Sequence, residues 1–120
     1  MNRWVLLEHK VYFANSVDIH YDFLVENGLD CLTWKFLKLP ILNQASTEIS
    51  KQPNHRLVWL SRIEHELSGN RGFVKRIDHG IFINVSDKLD SEYYRFILDG
   101  ELLAGLFEIS GNSCRLSKNY

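Results

Sequence analysis

Ile19-His20-Tyr21-Asp22-Phe23-Leu24-Val25-Glu26 is the stretch on which the reading of this chain turns. Successive side chains of a strand point to opposite faces. Ile19, Tyr21, Phe23 and Val25 therefore share one side, and His20, Asp22, Leu24 and Glu26 share the other. One face asks for an apolar core, while the other gathers groups that bind metals. Asn27-Gly28 follows at once, and this dipeptide between alternating apolar runs predicts a tight hairpin, because a type I′ turn needs positive φ at both central residues. With those two residues as the loop, Phe23 faces Leu32, Tyr21 faces Trp34 and Ile19 faces Phe36. On the reverse face His20 meets Lys35, Asp22 meets Thr33 and Leu24 meets Cys31. Both faces sort by polarity in this register, and a slip of one residue would scramble them.

Outward from the hairpin the punctuation is that of short strands. Arg3 to His9 alternates and reads as a strand, apolar on both faces, with Lys10 to Asp18 as a loop around Asn15-Ser16. Pro40, Pro53 and the polar run Asn43 to Thr47 predict a long surface connection over Lys38 to Asn54, with one helical turn at Thr47 to Lys51. Strand character resumes over His55 to Ile63, and Leu67 to Gly72 reads as a turn. Phe73 to Ile77, Ile81 to Val85, Tyr93 to Leu98, Leu102 to Ile109 and Ser113 to Leu116 follow as strands, separated by His79-Gly80, Asp99-Gly100 and Gly111-Asn112. Such spacing with almost no 3.6-residue period predicts an all-β fold: residues 1–120 as a compact single-domain β-barrel of antiparallel hairpins with one long surface loop.

The 120 residues can bury roughly two thirds of the unfolded surface, so no staple is required. A net charge of −1 argues against a broad surface for coating nucleic acid and leaves only a local basic site. Cys31 and Cys114 stand far apart with no Cys-x-x-Cys spacing, which points to reduced packing residues. No apolar run reaches the roughly 18 residues of a membrane span. A soluble, cytoplasmic protein with no membrane partner is the expectation.

His20 and Asp22 lie two residues apart on one strand face, with Cα atoms roughly 6.5 Å apart, so both side chains can lean onto one ion. Imidazole plus carboxylate suits Mn²⁺, Zn²⁺ or Fe²⁺, and His9 at the end of the first strand is the natural third ligand. His55 beside Arg56 could grip an anion or mark the exposed end of a strand, His65 between Glu64 and Glu66 could be a ligand but reads first as a solvated side chain, and His79 reads as a turn residue. Arg71, Lys75 and Arg76 could frame a phosphate. Trp4, Trp34 and Trp59 each sit in an apolar stripe and read as core anchors. No glycine-rich phosphate loop, nucleophile elbow or His-Glu-x-x-His is present.

Taken together, His9, His20-Tyr21-Asp22-Phe23-x-x-Glu26 and Leu32-Thr33-Trp34-x-x-x-Lys38-x-Pro40 resemble the N-terminal 3′-phosphoesterase domain of bacterial DNA ligase D. That family has a His-x-Asp-x-Arg-x-Glu strand after a short histidine-containing one, then Leu-x-Ser-Trp and Lys-x-Pro. Asn54-His55-Arg56-Leu57-x-Trp59 is similar to its Asp-His-Pro-Leu-x-Tyr segment, and Leu98 to Ile109 to its closing hairpin. The resemblance spans nearly the whole chain. It implies a compact barrel with a divalent metal, Mn²⁺ or else Zn²⁺, on His9, His20 and Asp22. It further implies a phosphate-contacting His55 with Glu26 as supporting carboxylate, and action on 3′-phosphate or 3′-ribonucleotide ends in DNA repair, with nucleic-acid ends and repair proteins as partners. Leu24 stands where the family has a phosphate-gripping arginine, and Trp59 where it has a tyrosine. Reduced activity is the expectation, with Lys35, Arg56 or Arg71 as substitute phosphate ligands; the alternative is a non-catalytic β-barrel interaction module that retains the fold.

Overall fold

The computed structural model describes residues 2–67, 71–86 and 92–118. Among the described residues ten strands run in chain order: β1 (Arg3–Phe13), β2 (Ser16–Asn27), β3 (Asp30–Phe36), β4 (Thr47–Glu48), β5 (Ser50–Arg56), β6 (Glu64–Leu67), β7 (Gly72–Asn84), β8 (Tyr93–Asp99), β9 (Ala104–Ser110) and β10 (Ser113–Ser117). Their order in the sheet is β4-β10-β9-β8-β7-β1-β2-β3-β5, with β6 paired to β7, and every ladder is antiparallel. The all-β expectation therefore holds. The closed barrel does not: the two edge strands are neighbours in the chain and meet at buried Ile49, yet among the described residues no ladder joins β4 to β5.

The β2–β3 hairpin forms with its register displaced by two. Asn27 pairs with Asp30, Phe23 with Trp34, Tyr21 with Phe36 and Asp22 with Lys35. The central turn residues are Gly28 and Leu29, not Asn27 and Gly28. Gly28 alone has positive φ, +69°, the pattern of a type II′ turn with glycine first. A shift of two preserves parity, so each residue keeps its face while its partner changes.

Four other expectations are corrected. The loop over Lys10 to Asp18 is mostly ladder: β1 runs on to Phe13, which pairs with Ser16, and the β-branched and aromatic run Val11-Tyr12-Phe13 favours continuing the strand. Ile19 pairs with Lys10 on this projecting arm, beyond the end of β3, and is 40% exposed instead of sitting in the core. Thr47 to Lys51 is not a helical turn but the end of one strand and the start of the next, β4 and β5, broken at Ile49; β5 lies at an edge of the sheet, where Pro53 removes no ladder donor that is needed. Leu57–Leu60 is a 3₁₀ turn in place of a strand, which points Leu57 and Leu60 inward at a spacing of three and leaves Val58 exposed.

His79-Gly80 is not a turn either. β7 runs straight through it, with an extra residue at Ile77 where the pairing to Leu6 and Leu7 shifts. The reason is Asp78, a buried carboxylate that accepts the backbone N–H groups of Glu101, Leu102 and Leu103 at 2.9, 2.8 and 2.8 Å and so clasps the β8–β9 turn. A Cβ at Gly100 would collide with that carboxylate and with the Trp4 ring, which fixes glycine there. The turn expected over Leu67 to Gly72 falls in part on residues 68–70, outside the described ones. Among the described residues no helix is long and apolar enough to cross a membrane.

Two cores result. The larger joins Trp4, Phe23, Trp34, Phe36, Phe96 and Phe107 with smaller apolar side chains. The smaller lies on the opposite side of β1 and β2 and joins Val5, Leu7, Leu24, Cys31, Leu60 and Val74, with Leu57, Trp59 and Leu67 packed against it.

Candidate metal centre

β1 and β2 bring their polar ends together because His9 pairs with His20 and Leu7 with Asp22 across the ladder. Directly opposed residues share a face, so His9, His20 and Asp22 project from the side that carries the smaller core. His9 Nδ1 lies 3.1 Å from His20 Nε2, and His20 Nε2 lies 3.5 Å from Asp22 Oδ2. The three donor atoms fall within 4.8 Å of one another. Ligands in neighbouring positions round one ion at bond lengths of roughly 2.0–2.2 Å stand roughly 3.0–3.5 Å apart, which is the spacing of these pairs.

The tautomer of His9 follows from its other nitrogen. Nε2 is 2.7 Å from the carbonyl oxygen of Arg71, and a carbonyl only accepts, so Nε2 carries the hydrogen and Nδ1 keeps its lone pair. A backbone carbonyl holding the far nitrogen of a ligand histidine is the usual means of fixing its orientation. His9 Nδ1 and the Asp22 carboxylate thus both direct electron pairs at His20 Nε2. Such an arrangement is satisfied either by the N–H of a neutral His20, with its hydrogen on Nε2, or by a metal ion between the three donors. A set of two imidazoles and one carboxylate with open positions fits Mn²⁺, Zn²⁺ or Fe²⁺.

A cavity of about 90 Å³ adjoins these residues, lined by Leu7, His9, Asp22, His55, Trp59, Leu67 and Val74. His55 reaches it from β5. Its Nδ1 donates to the carbonyl of Pro53 at 3.1 Å, which leaves Nε2 with the lone pair. The structure thus brings His9, His20, Asp22 and His55 together.

Of the remaining candidates, Lys35 and the Arg71 backbone border the three, while Glu26 and Arg56 lie away from them. Glu26 is four residues beyond Asp22, roughly 13 Å along the strand, and both its oxygens are bound by Arg3 at 3.0 and 3.1 Å. That hydrogen bond holds the Glu26 carboxyl below the usual range and raises the Arg3 guanidinium. Lys35 is the cross-strand neighbour of Asp22, Arg56 pairs with Asp30 at the far end of β5, and Arg71 offers its backbone carbonyl to His9. Leu24, with no exposed surface, is part of the smaller core.

Sequence reading missed one group entirely. Arg62 Nη1 donates to His65 Nδ1 at 2.6 Å and its guanidinium lies over the Trp59 ring, 5.2 Å from the centroid. His65 is therefore bonded to an arginine and edge-on to Trp59 instead of solvated between carboxylates. Trp59 is only partly buried and walls the cavity, in contrast to the enclosed Trp4 and Trp34. No protein-family model matches the chain, and no curated protein matches it in sequence.

Proposed function

We propose that this chain is a divalent-metal-dependent phosphoesterase acting on 3′-phosphate or 3′-ribonucleotide ends of nucleic acid. The observation that carries this reading is the convergence of His9, His20 and Asp22 beside a cavity that His55 also lines. When bound, a Mn²⁺ or Zn²⁺ ion supplies charge to neutralise phosphate oxygens and to acidify a water. The chain's own residues do the rest. Asp22 and the two imidazoles would hold the ion, and the Arg71 carbonyl orients His9. Nε2 of His55, set by the Pro53 carbonyl, takes up or gives a proton at the phosphate. Leu7, Trp59, Leu67 and Val74 limit water on the apolar side. On this reading the protein works in the cytoplasm on nucleic-acid ends with repair proteins, an activity that rests on the resemblance to the ligase D domain.

A second reading, a non-catalytic interaction module, is favoured by Leu24, because the face has an enclosed aliphatic side chain where the resembling family has a cation. A lost hydrogen bond to a charged group costs roughly 1.5–3 kcal/mol, or roughly 10- to 100-fold in rate if it acts in the transition state. Metal analysis and calorimetric titration with Mn²⁺ and Zn²⁺, followed by an assay on oligonucleotides ending in a 3′-phosphate, decide the matter. Binding lost in His20→Ala together with phosphate release by the parent chain supports the esterase. Tight metal binding without release from any 3′ end supports the module.

A further inference from the structure

We propose that Arg62 supplies the anion grip of this site and takes the terminal phosphomonoester of the ligand. The inference rests on reading the His9–His20–Asp22 face as a phosphate site. His65 pairs with Val74 and Val74 with His9, so His65 stands on the same face as the metal candidates, two strands across. Arg62 is pinned there by two contacts, the 2.6 Å bond to His65 Nδ1 and the 5.2 Å stack on Trp59, a wall of the cavity shared by His9, Asp22 and His55.

Neither contact neutralises its charge. Guanidinium has only donors, so His65 must accept through a lone pair and contributes no anion. Glu64 and Glu66 flank His65 in β6, are exposed, and by alternation project to the opposite side. Among the described residues no carboxylate lies within ion-pair distance of Arg62, and its Nε is buried with no hydrogen-bond partner. A pre-oriented cation whose Nε has lost water without gaining a counter-ion is poised for an anion, and its planar guanidinium matches the geometry of phosphate oxygens. With Leu24 in place β2 itself contributes no cation to the site, and Arg62 brings one from the connection between Leu60 and β6.

The test titrates inorganic phosphate and a 3′-phosphorylated trinucleotide into the parent, Arg62→Gln and Arg62→Lys, each with Mn²⁺ and with chelator, while metal affinity is measured separately. Arg62→Gln should weaken phosphate binding about 10- to 100-fold, Arg62→Lys should fall between, and both should bind metal like the parent. Equal phosphate affinity in Arg62→Gln and the parent, or no phosphate binding by the parent under either condition, overturns the inference. Arginine-dependent phosphate binding without any metal binding would sink the esterase reading and leave this one standing. A trinucleotide with a 3′-hydroxyl that bound as tightly would overturn the terminal monoester as ligand. Should the variants fail to fold, the Arg62 Nε–H resonance of the parent must move on phosphate addition. A stationary resonance during binding overturns the inference equally.

Discussion

The two faces of β2 are built from alternate residues of one strand and meet opposite fates. On one side Phe23 is surrounded by rings, with Phe107 at 5.0 Å, Trp4 at 5.9 Å, Trp34 at 6.0 Å and Phe96 at 6.3 Å between centroids. On the other side Leu24 closes a small aliphatic cluster, and two residues earlier the same row turns polar at Asp22 and His20. Stability and chemistry are thereby separated by parity alone. The aromatic face can be altered only at the expense of the fold, whereas the far end of the other face bears little load and is free to carry ligands.

The largest effect expected from breaking this division is on the aromatic side. Phe23→Ala or Trp34→Ala should cost about 3–5 kcal/mol, as a large-to-small change in a packed core, enough to unfold a marginal domain. An unchanged urea midpoint for Trp34→Ala would remove the aromatic cluster from its central role. Leu24 offers a sharper contrast. Leu24→Ala should cost about 2–3 kcal/mol, at the lower end for leucine, because its cluster is small. Leu24→Arg, which would restore the cation of the resembling family, buries an unpaired charge among Val5, Leu7, Cys31, Leu60 and Val74 and should destabilise by roughly 3–5 kcal/mol. A Leu24→Arg protein as stable as the parent and faster on 3′-phosphate ends would show that this face is a damaged phosphate site instead of a core.

Alternation made the faces of residues 19–26 legible, and the pairing of His20 with Asp22 came with it. Register was less so: Asn27-Gly28 marks a turn strongly, but the glycine could serve as the second or the first central residue, and only the cross-strand packing of Phe23 on Trp34 selects between them. Asp78-His79-Gly80 looked like a turn because its local chemistry is that of turns. The carboxylate's actual partners lie 23 to 25 residues away, at Glu101, Leu102 and Leu103. Arg62 was illegible for a similar reason. Its bond to His65 spans three residues through a 3₁₀ exit and a strand, a path with no single period, and its relation to His9 exists only through the β6–β7–β1 ladders. His9 was visible as a histidine at the end of a strand, while the Arg71 carbonyl that sets its tautomer was not.

The thiols give a smaller, pH-dependent comparison between the cores. Burial, then the nearby Asp30 and Glu26, pushes Cys31 up to about 11; burial pushes Cys114 up to about 12, against a weaker opposing hydrogen bond from the Thr47 backbone. Both folded values exceed the ordinary 9.0. Their contribution is therefore complete below pH 9 and is lost as pH rises through 11 and 12. At pH 10 each thiol should already cost on the order of 1 kcal/mol. Urea midpoints of the parent, Cys31→Ala and Cys114→Ala at pH 7 and 10 check this. Each variant should lose less stability over that interval than the parent, and equal slopes would mean the thiols are not shielded.

His20→Ala is expected to have the smallest effect on the fold and the largest on binding. Its side chain keeps 19% of its exposure, and its neighbours are the polar groups of His9 and Asp22 instead of core groups. Truncation opens no cavity, and it removes one of three electron-pair donors crowded within 4.8 Å, so without metal the unfolding free energy should change by less than about 1 kcal/mol in either direction. With a divalent ion at 100 times its dissociation constant the parent should gain about 2.7 kcal/mol, since an ion held only by the folded state stabilises by mass action. His20→Ala should gain almost none of it. Paired unfolding curves with chelator and with Zn²⁺ read both quantities from one protein. A large loss under chelator would make His20 a structural residue and dissolve the contrast between the two faces. An undiminished metal gain in the variant would leave the far end of β2 as ordinary polar surface.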